Sequence, residues 1–234
     1  AEIVVTAQKR AENLQTTPLA ISAISSATLD KINAHSTQDL SAIAPNLTVL
    51  PTASTPVGAT IAMRGIPNPG SETFGFDNAN GLYIDGVYIA RSATANMDVA
   101  DIQRVEVLRG PQGTLFGRNT TGGAVSFVTR DPAENFRLVA NAGIGNYGAW
   151  STRLTVDPGS IGGVRTSFSY MHRQRGGVTD NLYTSSRHDP GSYRVDAARF
   201  AAMADLGSTG SIRYAFDWTH ISGQPMASEL IGVA

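Results

Sequence analysis

Cysteine is absent from the 234 residues, which excludes disulfides and thiolate metal sites without fixing a compartment. Lysine is nearly absent too. Only Lys9 and Lys31 occur, so positive charge is carried almost wholly by arginine. The formal net charge is −1, and no global field points to nucleic acid or to an anionic surface. No apolar run approaches the ~20 residues that a membrane-spanning helix needs. No leader segment is visible, and Ala1-Glu2-Ile3 reads as a mature terminus left after removal of an export signal. His35, His172, His188 and His220 are scattered and form no H-E-x-x-H, and there is no G-x-S-x-G elbow. Nothing singles out an acid–base pair, so neither an enzyme nor a cofactor is expected. The length allows one large domain or two small ones, enough to bury a core.

Glycine, by contrast, is concentrated in one place. Residues 104–108 and 124–129 alternate apolar and polar side chains and read as half-buried strands. Between them lie Gly110, Pro111, Gly113, Gly117, Gly122 and Gly123, a composition for a tightly turned connector with positive φ angles. A phosphate cradle would need Gly-x-x-x-x-Gly-Lys-Ser/Thr; Gly113 to Gly117 is one residue short, and Arg118 and Asn119 follow instead of lysine. A plain glycine-rich hairpin is the other reading. The formal G-x-G-x-x-G at Gly143, Gly145 and Gly148 precedes a strand-like segment, not the helix that would hold a pyrophosphate, and is a chance match.

Before the connector the pattern is that of a small α+β domain. Residues 19–24 are strand-like. Ser26 or Thr28 can cap a helix carrying Leu29 and Ile32, and Ser36 or Thr37 a second with Leu40 and Ile43, stopped at Pro45-Asn46. Residues 47–50 and 59–63 are strands, residues 66–80 a loop, and residues 81–90 a hairpin turning at Asp85-Gly86. Phe74 and Phe76 in the loop can contact a ligand or pack on neighbouring loops. At the N-terminus Ile3 to Thr6 has β propensity, and residues 8–17 are too polar to bury much. The apolar stretch is either an ordinary first strand or a motif that adds to a partner's sheet.

Composition shifts near Asp131-Pro132. Residues 131–234 carry eleven of the seventeen aromatics, both tryptophans and nine arginines but no lysine, so a boundary is placed there. Five strands of about 8–12 residues are expected, with apolar faces running Leu138 to Ile144, Trp150 to Val156, Val164 to Tyr170, Phe200 to Leu206 and Ile212 to Trp218. Apolar side chains share one face and polar ones the other, the signature of transmembrane β-barrel strands. Residues 158–162 and 207–210 make short connections of a periplasmic kind; residues 145–149 and 176–194 would face outward.

Four stretches, in order and sensibly spaced, resemble one family. They are Glu2-Ile3-Val4-Val5-Thr6-Ala7; Arg64-Gly65; Gly81-Leu82-Tyr83-Ile84-Asp85-Gly86-Val87-Tyr88; and Val105 through Asn119 with Gly122-Gly123-Ala124-Val125. Together they are similar to the plug of TonB-dependent outer-membrane transporters. The resemblance implies an α+β plug domain followed by antiparallel transmembrane β-barrel strands, the plug lodged in a 22-stranded barrel in the family. It implies import of a scarce nutrient such as an iron chelate, cobalamin or a sugar. Energy would come from the inner-membrane proton gradient through TonB and its two partner proteins. Glu2 to Ala7 would be the TonB box, which meets the TonB C-terminal domain. Arg64, Glu106 and Arg109 match charged plug positions that pair with the barrel wall. Gly110, Pro111, Gly117, Asn119, Gly122 and Gly123 match the turn leading to the first barrel strand. The expected organisation is box and tether at 1–18, plug at 19–130 and partial barrel at 131–234, with outer-membrane lipid, a small nutrient ligand and no nucleic acid as partners. Five strands cannot close such a barrel without leaving backbone groups unsatisfied in lipid. The chain is therefore expected to be the N-terminal part of a longer protein. A non-transporting outer-membrane receptor, or a small β-barrel protein with an N-terminal interaction domain, is the alternative.

Overall fold

The computed structural model describes residues 4–5, 12–15, 17–32, 37–51, 57–68, 77–90, 101–179, 189–207 and 210–226. The chain divides into two compact units. The first comprises residues 1–52, 58–97 and 102–129; the second comprises 53–57, 98–101 and 130–234. The two short segments in the second unit are not visible from a boundary set by composition alone.

The first unit opens with β1 (Val4–Val5), paired antiparallel to β2 (Glu12–Asn13). β3 (Ile21–Ser25) leads into α1 (Ser26–Lys31). The cap is Ser25, one residue before the Ser26 expected from sequence: its Oγ accepts from Thr28 N–H at 3.3 Å, the bond an N-cap makes to the third helical residue. The expected second helix is a 3₁₀ turn, Thr37–Ala42, closed by Ala44 N–H to Leu40 C=O at 3.0 Å. Pro45 and the left-handed Asn46 (φ 61°) follow at once, leaving too few residues to propagate an α-helix.

β4 (Leu47–Pro51) and β5 (Ala59–Met63) pair antiparallel. β5 then turns at Arg64-Gly65, both at positive φ, into β6 (Ile66–Pro67). This corrects the loop expected from residue 66 onward: the two positive φ angles make a tight hairpin turn whose twist suits paired strands. β7 (Asn80–Ile84) and β8 (Val87–Tyr88) form the hairpin at Asp85-Gly86, again with two positive φ angles. β9 (Ile102–Arg109) and β10 (Gly123–Thr129) flank the glycine-rich connector. The main sheet runs β3-β9-β10-β7-β8, antiparallel except for β10 beside β7.

The core of this unit joins both sheets. Val105, Val107, Val125 and Phe127 from β9 and β10 meet Leu47, Val49, Ile61 and Met63 from β4 and β5, with Leu40 of the 3₁₀ turn and Ile24 of β3. All are buried, and each such side chain contributes about 1.5–3 kcal/mol of transfer free energy.

The second unit is one antiparallel sheet in sequence order: β11 (Arg137–Gly145), β12 (Ala149–Ile161), β13 (Val164–Arg175), β14 (Tyr193–Leu206) and β15 (Gly210–Gly223). Most strands outrun the lengths read from sequence. β12 in particular runs through Pro158-Gly159, where a connection was expected, and turns only at Gly162-Gly163. A bulge between Val156 and Gly159 takes up the proline, and Ser160 N–H bonds to Glu134 C=O at 2.9 Å.

The alternation of this sheet is inverted relative to a water-soluble one. Ile144, Leu154, Phe168, Phe200, Tyr214, Phe216 and Trp218 share the exposed face. Thr155, Asp157, Ser169 and Arg199 on the opposite face are buried, and Thr155 and Ser169 bond to each other at 3.0 Å. A face this apolar and this exposed is built for hydrocarbon.

Candidate functional site

The glycine-rich connector joins β9 to β10. Gly110 N–H bonds to Gly122 C=O and Gln112 N–H to Thr120 C=O, each at 2.9 Å, so the connector closes on itself like a ladder. Its middle is a single helical turn, α2 (Gly113–Phe116), absent from the sequence reading. Phe116 N–H bonds to Gln112 C=O and Gly117 N–H to Gly113 C=O. Tyr83 reaches over from β7: its hydroxyl donates to Phe116 C=O at 2.6 Å, and its ring meets Phe116 edge-on at 5.0 Å. Burial raises the Tyr83 pKa, and neighbouring Tyr88 adds to the rise. Asn119, in the left-handed region at φ 70°, donates from Nδ2 to Tyr88 Oη at 3.1 Å.

Two glycines there resist substitution for different reasons. At Gly123 (φ 154°) a Cβ would strike the Leu108 carbonyl and the Met63 sulfur, backbone and core that cannot retreat. At Gly110 (φ 102°) it would lie 2.8 Å from the Arg64 guanidinium, which covers that glycine. Arg64 itself adopts φ 53°, rare for a residue with a side chain, and its N–H is held by Asn46 C=O at 3.0 Å.

Glu106, buried in the middle of β9, has its carboxylate 2.7 Å from Nε of Arg104, a residue the sequence reading did not single out. The two are two apart on one strand and therefore share a face. Arg109 lies at the end of β9, where its N–H bonds to Ala20 C=O at 2.9 Å. Glu106 thus pairs with Arg104, while Arg64 covers Gly110 and Arg109 meets Ala20.

A buried amide pair also escaped the sequence reading. Asn68 Oδ1 accepts from the N–H of Ala79 and of Asn80, at 2.9 and 2.7 Å, and its Nδ2 donates to Asn80 C=O. Asn80 Nδ2 donates to Ile66 C=O at 2.8 Å. The pair ties together the two ends of the stretch that contains Phe74 and Phe76; those two phenylalanines lie outside the described residues. At the N-terminus, Val4 and Val5 form β1, with Val5 fully buried, while Glu2, Ile3, Thr6 and Ala7 lie outside the described residues. Part of the expected tether, Glu12–Asn13, is their partner strand.

Among the described residues no group of three His, Asp or Glu is placed to hold a metal ion. The polar clusters here brace backbone, and none presents a nucleophile beside a base.

Residues 13–124 match the family model described as the TonB-dependent receptor plug domain. The catecholate siderophore receptor Fiu of Escherichia coli K12 is 28% identical over 150 residues, 63% of this chain and 18% of that protein. The pesticin receptor of Yersinia enterocolitica is 33% identical over 98 residues, 42% of this chain and 14% of that protein. The chain thus spans less than a fifth of the length of these curated relatives. Among solved structures, the ferric yersiniabactin uptake receptor FyuA of Yersinia pestis superposes with a TM-score of 0.74 at 22% identity, covering 87% of this chain and 32% of that one. That likeness concerns the fold, and it spans the first unit and the inverted sheet together. Residues 13–124 are thus a plug domain of the TonB-dependent receptor family, and the strands that follow resemble in fold the strands of such receptors.

Proposed function

We propose that the chain is part of an outer-membrane receptor that binds an iron–siderophore complex and imports it into the periplasm. The observation that carries this reading is the plug match over residues 13–124 in a chain whose other unit turns its apolar face outward. The name of one relative, catecholate siderophore receptor, supports an iron chelate over cobalamin or a sugar. The organisation we infer is a coupling segment at 1–18, a plug at 19–130 and a barrel wall from 131. In the same reading Gly110, Pro111, Gly117, Asn119, Gly122 and Gly123 shape the plug turn. Arg64, Glu106 and Arg109 are the charged plug positions of this reading, each held by its own neighbours and not gathered in one cluster.

Energy enters through Glu2 to Ala7, which would be bound by the TonB C-terminal domain through strand addition. The pairing of Val4–Val5 with Glu12–Asn13 supports this, because the segment already takes strand geometry and its backbone can pair. Proline at Val4 or at Val5 removes one backbone donor and fixes φ. In cells carrying the complete receptor, one of these variants should abolish energised accumulation of the ferric siderophore while leaving binding at the surface intact; alanine at the same site should do less. Full uptake in both proline variants would remove the coupling role of this segment.

A further inference from the structure

The apolar face of the second unit carries few ionisable side chains, and they stand together. Among the residues of β11 to β15 on that face, the only Asp, Glu, His, Lys or Arg are His172, Asp196, His220 and Arg194. Thr152, His172, Asp196 and His220 lie directly opposite one another on four successive strands, with Trp150 and Arg194 in the row beyond. His172 is eight residues past Val164 on β13, about 27 Å along the strand. A tilt of 35–45° reduces that to about 19–22 Å of height, so these rows border a hydrocarbon band about 25 Å tall. They border it at the end that leads into the long connection between β13 and β14. Long connections of outer-membrane barrels lie on the cell exterior, so the rows meet the outer leaflet.

Aromatic girdles flank the band of any such barrel, and Trp150, Tyr170 and Trp218 belong to one. A girdle does not account for the charge. Asp196 is fully engaged: Oδ1 accepts from Tyr170 Oη at 2.9 Å and bonds Nδ1 of His172 at 2.7 Å, and Oδ2 accepts from Nε of Arg194 at 3.0 Å. The Asp196 side chain is 14% exposed and that of Arg194 60%, so the charge presented to the medium is the guanidinium. His172 is buried with its ring stacked on Trp150 at 4.2 Å, yet its Nε2 bonds to nothing among the described residues. With Nδ1 held by the carboxylate, that nitrogen accepts from a hydroxyl when the ring is neutral and donates to a phosphate oxygen when it is charged. His220 flanks Asp196 from β15 and is exposed.

We propose that Arg194 and His172, ordered by Asp196, bind the headgroup of a phosphorylated glycolipid of the outer leaflet. The guanidinium takes the phosphate, because it stays charged and its two terminal nitrogens pair bidentately. The imidazole takes a neighbouring sugar hydroxyl or phosphate oxygen. Acyl chains of the same molecule then cover Phe168 and Phe200 in the band below, which favours a lipid over a second protein as the occupant. The site is independent of what the receptor imports.

The test uses the complete receptor purified in a neutral detergent, with bound lipid counted by native mass spectrometry. The probes are lipid A, an acylated glucosamine disaccharide with two phosphates, and the same molecule stripped of both. The intact lipid should bind about tenfold more tightly, the worth of one charge-assisted contact. Arg194→Gln should remove that preference, Arg194→Lys should keep part of it, and Arg165→Gln on the polar face should leave it unchanged. His172→Phe, which keeps a ring beside Trp150, should weaken the intact lipid severalfold. Comparing the two lipids needs no variant, so the answer stands even if Arg194→Gln fails to insert. Equal affinity for both lipids, or a preference that survives Arg194→Gln, overturns the site. So does a receptor that holds neither lipid and sediments as a dimer broken by Arg194→Gln, for the rows would then be a contact between barrels.

Discussion

The two units use the same strand-forming residues with opposite faces hidden. In the first, Val105, Val107, Val125 and Phe127 are at most 2% exposed. In the second, Phe168, Phe216 and Trp218 are 47%, 55% and 47% exposed, while Arg199 and Asp157 lie inside. Alternation with period two says that a segment is a strand and which side chains share a face; it does not say which face meets solvent. What decides is the medium. The first unit closes two sheets on each other around an apolar centre, and the second relies on lipid to cover its apolar side.

The sharpest way to break this contrast is to place the same charge in both apolar sets. Val107→Arg buries an unpaired cation in the first unit, and we expect it to lose more than about 4–5 kcal/mol and to leave that unit open to protease. Phe216→Arg should cost about 2–4 kcal/mol, depending on depth in the bilayer, and still yield folded receptor in vesicles. Equal costs in chemical unfolding would mean that both faces are packed against protein.

Truncation sharpens it further. Phe127→Ala should destabilise the first unit by about 3–5 kcal/mol, because the rigid core leaves a cavity. Phe216→Ala should cost about 1.5–3 kcal/mol, transfer alone, since lipid chains refill the space. The smallest effect expected is at Tyr83→Phe, which loses one hydrogen bond to Phe116 C=O, about 1 kcal/mol, measured by urea unfolding at neutral pH. The same variant also bears on pH. Because burial raises the Tyr83 pKa above its unfolded value of ~10, the unfolded chain gives up that proton first. The stabilisation is complete below the unfolded value and is lost as pH rises through the folded one. Tyr83→Phe should flatten that alkaline decline in the first unit.

Much of the fold was legible because its signals are local. Asp85-Gly86 announces a hairpin by chemistry alone, and the five wall segments announce themselves by uninterrupted alternation. What failed depends on distant partners. Pro158 reads as a strand end until a bulge and the Glu134 carbonyl accommodate it. Residues 66–80 read as one loop because nothing nearby shows that Asn68 and Asn80, twelve residues apart, will bond to each other in a buried site. The site followed the same division. The connector's glycines stood out by density, whereas the Arg104–Glu106 pair was available as opposite charges two apart on a strand and was passed over for more distant charges.

Arg64 lying over Gly110 also bears on how such a sequence can drift. At Gly123 any side chain meets backbone, so the position admits no substitution that a neighbour could accommodate. At Gly110 the obstruction is the tip of a flexible arginine, which a methyl group could displace into solvent, although the backbone there still disfavours anything but glycine. The two residues are thus tied to each other in inheritance. Among descendants of this sequence, a change at Gly110 should be found chiefly where Arg64 has already been shortened, and loss of the arginine should come first.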